Sequence, residues 1–420
     1  MTIKVTTLPS GLRVVTDTVP DMETVAVGAW ADVGTRHEDM EHNGVAHMVE
    51  HMMFNGTPTR TSLQIAEAIE DVGGQINAYT SRELTAYYIH LLKNDLPLGM
   101  DILSDILQNP TFPDAELEKE RGVIIQEIGM TNDTPDDVVF DLFQETAYPN
   151  QSLGAPILGR EEIIEGMKKE TLFDYVHRFY TPRKLVISAA GNVDHDAFAS
   201  MVAGLFNNLP QDTPQGYVPA QYQGGDKRVE KELEQTHVVL GFQGVDRKDP
   251  GYYAAAILST VLGGGMSSRL FQEVREKRGL VYSVYASHSS YHDDGQFEIY
   301  AGTGPEHLQK LVPVVCDQIV KIMQEAISEA ELNRAKAQIK AGILMGRESM
   351  LSRANRQAKY LINFGNPPDV QKLIHIIDAV SVQDVQAMAQ KLFTRKPTVA
   401  ALGPLAGLEE YDSIAARLAA

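Results

Sequence analysis

Apolar residues recur along this chain with two distinct periods, and the switches between them mark out its elements. Thr24 to Val33 and Thr85 to Leu92 are rich in β-branched and aromatic residues and predict strands. Gly44 to Phe54 and Thr61 to Val72 predict helices, the second with Ile65, Ala68, Ile69 and Val72 along one stripe. Gly73-Gly74 ends that helix and opens a strand over Gln75 to Thr80. Pro113 starts a further helix that runs through Glu127, because proline is tolerated in a first turn. Strands interleaved with helices in this way predict two α+β layers per half, a mainly antiparallel sheet packed with helices.

The pattern then repeats. Phe179-Tyr180-Thr181-Pro182-Arg183-Lys184 leads into an apolar strand, Leu185 to Ala190, closed by Gly191. In the second half Leu392-Phe393-Thr394-Arg395-Lys396 leads likewise into Thr398 to Leu402 and Gly403. Asp114-Ala115-Glu116-Leu117 opens a long helical pattern, and Glu329-Ala330-Glu331-Leu332 opens another at nearly the same offset. A duplicated domain of about 210 residues follows, a size common for one domain. The stretch from Leu209 to Gly225, with Pro210, Pro214 and Pro219 and no period, is the boundary. The predicted organisation is a first domain over 1–210, a linker over 211–228 and a second domain over 229–420.

Composition narrows the class. The 420 residues are 43% hydrophobic and 22% charged, values of a globular chain, and none of its apolar runs reaches the length of a membrane span. Met1 to Leu8 alternate like a strand and lack an apolar core, which predicts no signal peptide. A net charge of −19 argues against nucleic-acid backbone binding and favours basic or neutral partners. The lone cysteine, Cys316, cannot form an internal disulfide, fits a reducing compartment and lies in an apolar run, as a buried thiol would.

Candidate chemistry concentrates in His47-Met48-Val49-Glu50-His51. On a helix the two histidines sit one turn apart on one face and can reach the same ion. Two imidazoles suit zinc, and Glu50 beside them can take a proton from water. This is the inverted zincin pattern, H-x-x-E-H, and it still requires a third ligand from another element. Glu120 and Glu127, two helical turns apart, share a helix face but lie roughly 10 Å apart along the axis, too far to bind one ion together. Read alone, they are a surface acidic pair on an amphipathic helix. His90, His177 and His237 show no ligand spacing.

The stretch Gly44 to Thr57, with Glu127 placed well downstream of His51, resembles the pitrilysin and mitochondrial processing peptidase family, above all its bacterial processing-peptidase-like members. The resemblance extends over essentially the whole chain. It implies two homologous α/β-roll domains, one zinc held by His47, His51 and Glu127, Glu50 as the base that activates water, and Glu120 in support. It also implies that Asn77, Ala78 and Tyr79 lie on an edge strand to which a peptide substrate adds. Arg275 and Tyr282, which follow the glycine loop Gly263-Gly264-Gly265, are similar to an arginine and tyrosine that the family places near the substrate carbonyl. Without the resemblance, Arg275 reads as a surface charge and Tyr282 as a strand core residue. At the repeat offset, Glu120 and Glu127 correspond to Ala335 and Gly342, so the second domain lacks the triad. The expectation is a zinc endopeptidase of the bacterial cytoplasm, with an organelle matrix as the second choice, that cleaves unfolded peptides or presequences, basic ones by charge, inside a chamber closed by a homodimer. The alternative is a non-catalytic structural or assembly subunit.

Overall fold

The computed structural model describes residues 3–212 and 218–419, so part of the expected linker lies outside the described residues. The chain forms two compact units. The first takes the chain up to Ile128, from Ala155 into the linker, and Ile343–Asp369; the second takes Gly129–Gly154, Val218–Gly342 and the chain from Val370 onward. Each expected half therefore lends one segment to the other unit.

In the first unit, β1 (Ile3–Thr7), β2 (Arg13–Thr18), β3 (Thr24–Ala31), β4 (Gln75–Thr80), β5 (Thr85–Leu92) and β6 (Leu185–Gly191) form one sheet. Its order is β1-β2-β6-β3-β5-β4, antiparallel except for β2 beside β6. Alternation in β3 sends Val25, Val27, Ala29 and Ala31 into the main core and Ala26 and Trp30 to the opposite face. That second face is not left to solvent. The helix Met350–Phe364 covers it, laying Met350, Ala354, Ala358 and Leu361 against Trp30, Val186 and Ala190. Burial on both faces explains why β3 reads as a nearly unbroken apolar run.

The second unit repeats the plan. β7 (Gly225–Glu230), β8 (Thr236–Gln243), β9 (Val281–Ser290), β10 (Gly295–Thr303) and β11 (Thr398–Gly403) are ordered β7-β11-β8-β10-β9. Only the β7–β11 pair is parallel among these strands. The helix Leu308–Gln324, which buries Cys316, packs in its main core. The helix Pro135–Ala147 places Val139, Phe143 and Ala147 on its other face. Its counterpart at the repeat offset is the helix Met350–Phe364, so the exchange of covering helices is reciprocal. Each sheet therefore carries helices on two faces, one layer more than the sequence predicts. No helix among the described residues is long and apolar enough to cross a membrane.

Candidate metal centre

The helix α1 (Val45–Met52) carries the histidine motif and starts at Gly44, whose φ of 96° favours glycine. A Cβ at Gly44 would lie 2.7 Å from both Gly159 Cα and Ile164 Cδ1. Glycine has no side chain to cap the helix, and its first N–H groups need an acceptor. Glu38 provides one. Its Oε2 accepts from Gly44 N–H at 2.9 Å and Asn43 Nδ2 at 3.0 Å, and its Oε1 accepts from Ala46 N–H at 2.8 Å. Burial pushes the Glu38 carboxyl up to about 7, against the lowering by these donors.

Val45, Met48, Val49 and Met52 fix α1 in the main core. His47 and His51, one turn apart, then stand with ring centroids 4.6 Å apart and planes at 72°. A second helix, α2 (Asp114–Asn132), brings Glu127 to them. Glu127 Oε2 lies 3.6 Å from His47 Nε2 and 3.7 Å from His51 Nε2. One ligand atom from each residue lies within 4.8 Å of the other two, a grouping unique among the described residues.

These separations exceed a hydrogen bond yet suit a shared cation. Zinc bonds of about 2.0–2.1 Å in a tetrahedron would place ligand atoms roughly 3.3 Å apart. Burial, helped by the neighbouring His51, pushes the His47 imidazole down to about 4. His47 is then neutral at pH 7 and offers a lone pair rather than a charge to pair with Glu127. Two imidazole nitrogens and one carboxylate oxygen form a donor set that fits zinc.

Around the three donors, other groups fix orientation. His51 Nδ1 meets Glu120 Oε2 at 2.9 Å, which directs Nε2 toward Glu127. Glu120 thus faces the other side of the imidazole and is not grouped with the three ligand atoms. Asn55 Nδ2 donates to the second oxygen of Glu120 at 3.1 Å. Burial raises the Glu50 carboxyl above its usual range, opposed by Thr80 and His51 and helped by the charge of Glu127, and its Oε2 has no hydrogen-bond partner among the described residues. Tyr87 and Tyr180 are buried, share a 2.8 Å hydrogen bond and feel the charge of Glu50.

Asn77, Ala78 and Tyr79 lie on β4, the outer strand of the sheet, which pairs with β5 alone among the described strands. Asn77 Oδ1 accepts from Ala78 N–H at 2.8 Å. The Tyr79 hydroxyl donates to Asn355 Oδ1 at 2.8 Å, so its side chain is committed to the covering helix. In the second unit, the Arg275 guanidinium lies 4.9 Å from the Phe271 ring centroid and 5.0 Å from that of Tyr282. Tyr282 is 73% exposed, which overturns its reading as a strand core residue. Its neighbours Val281 and Val284 take the inward positions instead.

Sequence reasoning missed Glu38, Asn55, Tyr87 and Tyr180. Glu38 and Asn55 sit in irregular segments flanking α1, where no period marks a partner. Tyr87 falls in the predicted strand over Thr85 to Leu92 and Tyr180 in the lead into the strand from Leu185, where no pattern singles them out.

Both units fall within one peptidase family. Residues 13–161 match the family model described as insulinase (peptidase family M16), and residues 166–339 match that of the peptidase M16 inactive domain. A Bacillus subtilis protein named uncharacterized zinc protease YmxG is 39% identical over 96% of this chain and 98% of its own. A Rickettsia felis protein named uncharacterized zinc protease is 39% identical over 94% of this chain and 96% of its own. The chain belongs to peptidase family M16. Its fold matches a Helicobacter pylori protease at TM-score 0.89 and 24% identity, over 96% of this chain and 99% of that one. A chain of complex III2 from Candida albicans has TM-score 0.88 at 20% identity, over 99% of this chain and 100% of that one.

Proposed function

We infer that this protein is a zinc-dependent endopeptidase acting on unfolded peptides. The observation that carries the reading is the convergence of His47 Nε2, His51 Nε2 and Glu127 Oε2 within 4.8 Å beside the partly buried Glu50. His47, His51 and Glu127 would hold the ion. When bound, zinc supplies a Lewis acid that polarises the scissile carbonyl and acidifies water. Glu50 takes the proton from the attacking water and passes it to the leaving amine. Its raised affinity for a proton suits both transfers, and its unpartnered Oε2 leaves an acceptor for that proton. Glu120 holds the imidazole of His51 in the tautomer that keeps Nε2 free for metal.

Substrate would add to β4 by main-chain hydrogen bonds, since an outer strand presents unpaired N–H and C=O groups. Asn77, Ala78 and Tyr79 would contribute mainly backbone there, the substrate displacing Asn77 Oδ1 from Ala78 N–H while the Tyr79 hydroxyl stays with Asn355. The acidic chain favours basic peptides. The assembly is a homodimer, with Arg275 and Tyr282 of one protomer serving the other's site, and the compartment is the bacterial cytoplasm. Mixing Glu50→Gln chains with Arg275→Ala chains tests that sharing. Activity should return through one repaired site per mixed dimer, and silence from confirmed mixed dimers would contradict it.

The likeness in fold to a chain of complex III2 accompanies the alternative of a non-catalytic structural or assembly subunit. Against it stands a complete donor set together with its base. Zinc analysis followed by a peptide-library digest separates the two readings. The account expects one zinc per chain and cuts within unfolded peptides. Stoichiometric zinc with no cut in any peptide would favour the structural subunit.

A further inference from the structure

Asn55 lies just beyond α1 and is 8% exposed. Its amide nitrogen faces the main-chain oxygen of His51 at 3.3 Å, Met52 Sδ at 3.8 Å and Glu120 Oε1 at 3.1 Å. All three neighbours are acceptors, so the nitrogen and not the oxygen must point at them. Glu120 uses its other oxygen, Oε2, on His51 Nδ1 at 2.9 Å. Asn55 therefore closes a ring: it ties the backbone of His51 to the carboxylate that orients the ring of His51.

A lone contact between Glu120 and His51 would leave the carboxylate free to swing about its own side-chain bonds. The second hydrogen bond, from a buried and short side chain, removes that freedom. The geometry points to Asn55 as a positioning residue for the metal centre, one that locks Glu120 and thereby the Nε2 lone pair of His51. This rests on the zinc reading above.

The chemistry supplies a discriminating pair of substitutions. Asn55→Asp keeps the shape but sets a carboxylate against Glu120 and removes the donor. Adding Glu120→Gln restores a complementary pair, because the new amide nitrogen donates to position 55 while its oxygen still accepts from His51 Nδ1. Apo wild type, both single variants and the double variant are titrated with zinc against a chromophoric chelator, with circular dichroism of the apo forms as the folding control.

Asn55→Asp should weaken zinc affinity about 10–100-fold, the range for lost outer partners. The double variant should regain at least about tenfold over Asn55→Asp, a recovery that a merely disturbed loop would not show. Asn55→Ala, which adds no charge, should weaken affinity in the same direction and stands in if the aspartate variant does not fold. Affinity of both Asn55 variants within about threefold of wild type, or no recovery in the double variant, overturns the role of Asn55 while leaving the zinc reading intact. A wild-type protein that binds no zinc overturns both.

Discussion

Glu38 caps the helix that carries two candidate ligands without being one of them. Its two oxygens satisfy Gly44 N–H and Ala46 N–H at the start of α1, one residue before His47. Glu38→Ala leaves those buried donors without an acceptor, at about 1–3 kcal/mol for each group. The expected result is a lower urea midpoint with an unchanged slope, accompanied by weaker zinc binding. An unchanged midpoint would mean that water or Asn43 takes over the cap. Sequence could not name Glu38, because a loop carboxylate upstream of a histidine carries no periodic mark. His47, Glu50 and His51, in contrast, were legible because helical spacing alone puts them on adjoining faces.

At the scale of elements, burial within its strand sets the behaviour of His288. His288 on β9 accepts from Val245 N–H through Nε2 at 3.4 Å, and burial pushes its imidazole down to about 4. An unfolded histidine titrates near 6.5, so between these values the unfolded chain binds more protons than the folded one. The contribution of neutral His288 is complete above about pH 6.5 and drains away as pH falls toward 4. His288→Gln, whose side chain can still accept, should flatten the decline of the urea midpoint across that window. An identical decline in the variant would assign it to other groups. The elements themselves were largely legible: Gln75–Thr80 and Thr85–Leu92 have the bounds the sequence predicts. The third layer was not, since an amphipathic stripe such as Met350, Ala354, Ala358 and Leu361 announces an apolar face without saying which sheet receives it.

For the whole molecule, duplication followed by divergence explains why two similar units differ in chemistry. The repeat offset was visible in the helical patterns that open at Asp114 and Glu329, and it places Ala335 and Gly342 where the first unit has Glu120 and Glu127. What the offsets could not reveal is the reciprocal exchange of Gly129–Gly154 and Ile343–Asp369, because both segments keep their place in the linear order. Metal should stabilise the folded chain by mass action, about 2.7 kcal/mol at a free concentration of 100 times Kd. A chelator should therefore lower the thermal midpoint, and added zinc should restore it. No shift on chelation would indicate that the three ligands hold nothing that matters to the fold.

The central claim is that Glu50 moves the proton for peptide hydrolysis at a zinc held by His47, His51 and Glu127. Its most direct test is the initial rate at which a fluorogenic unfolded peptide is cut by wild type and Glu50→Gln, each first shown to carry the same zinc. A loss of about 10²–10⁴-fold is expected in the variant. Equal rates at equal zinc content would contradict it.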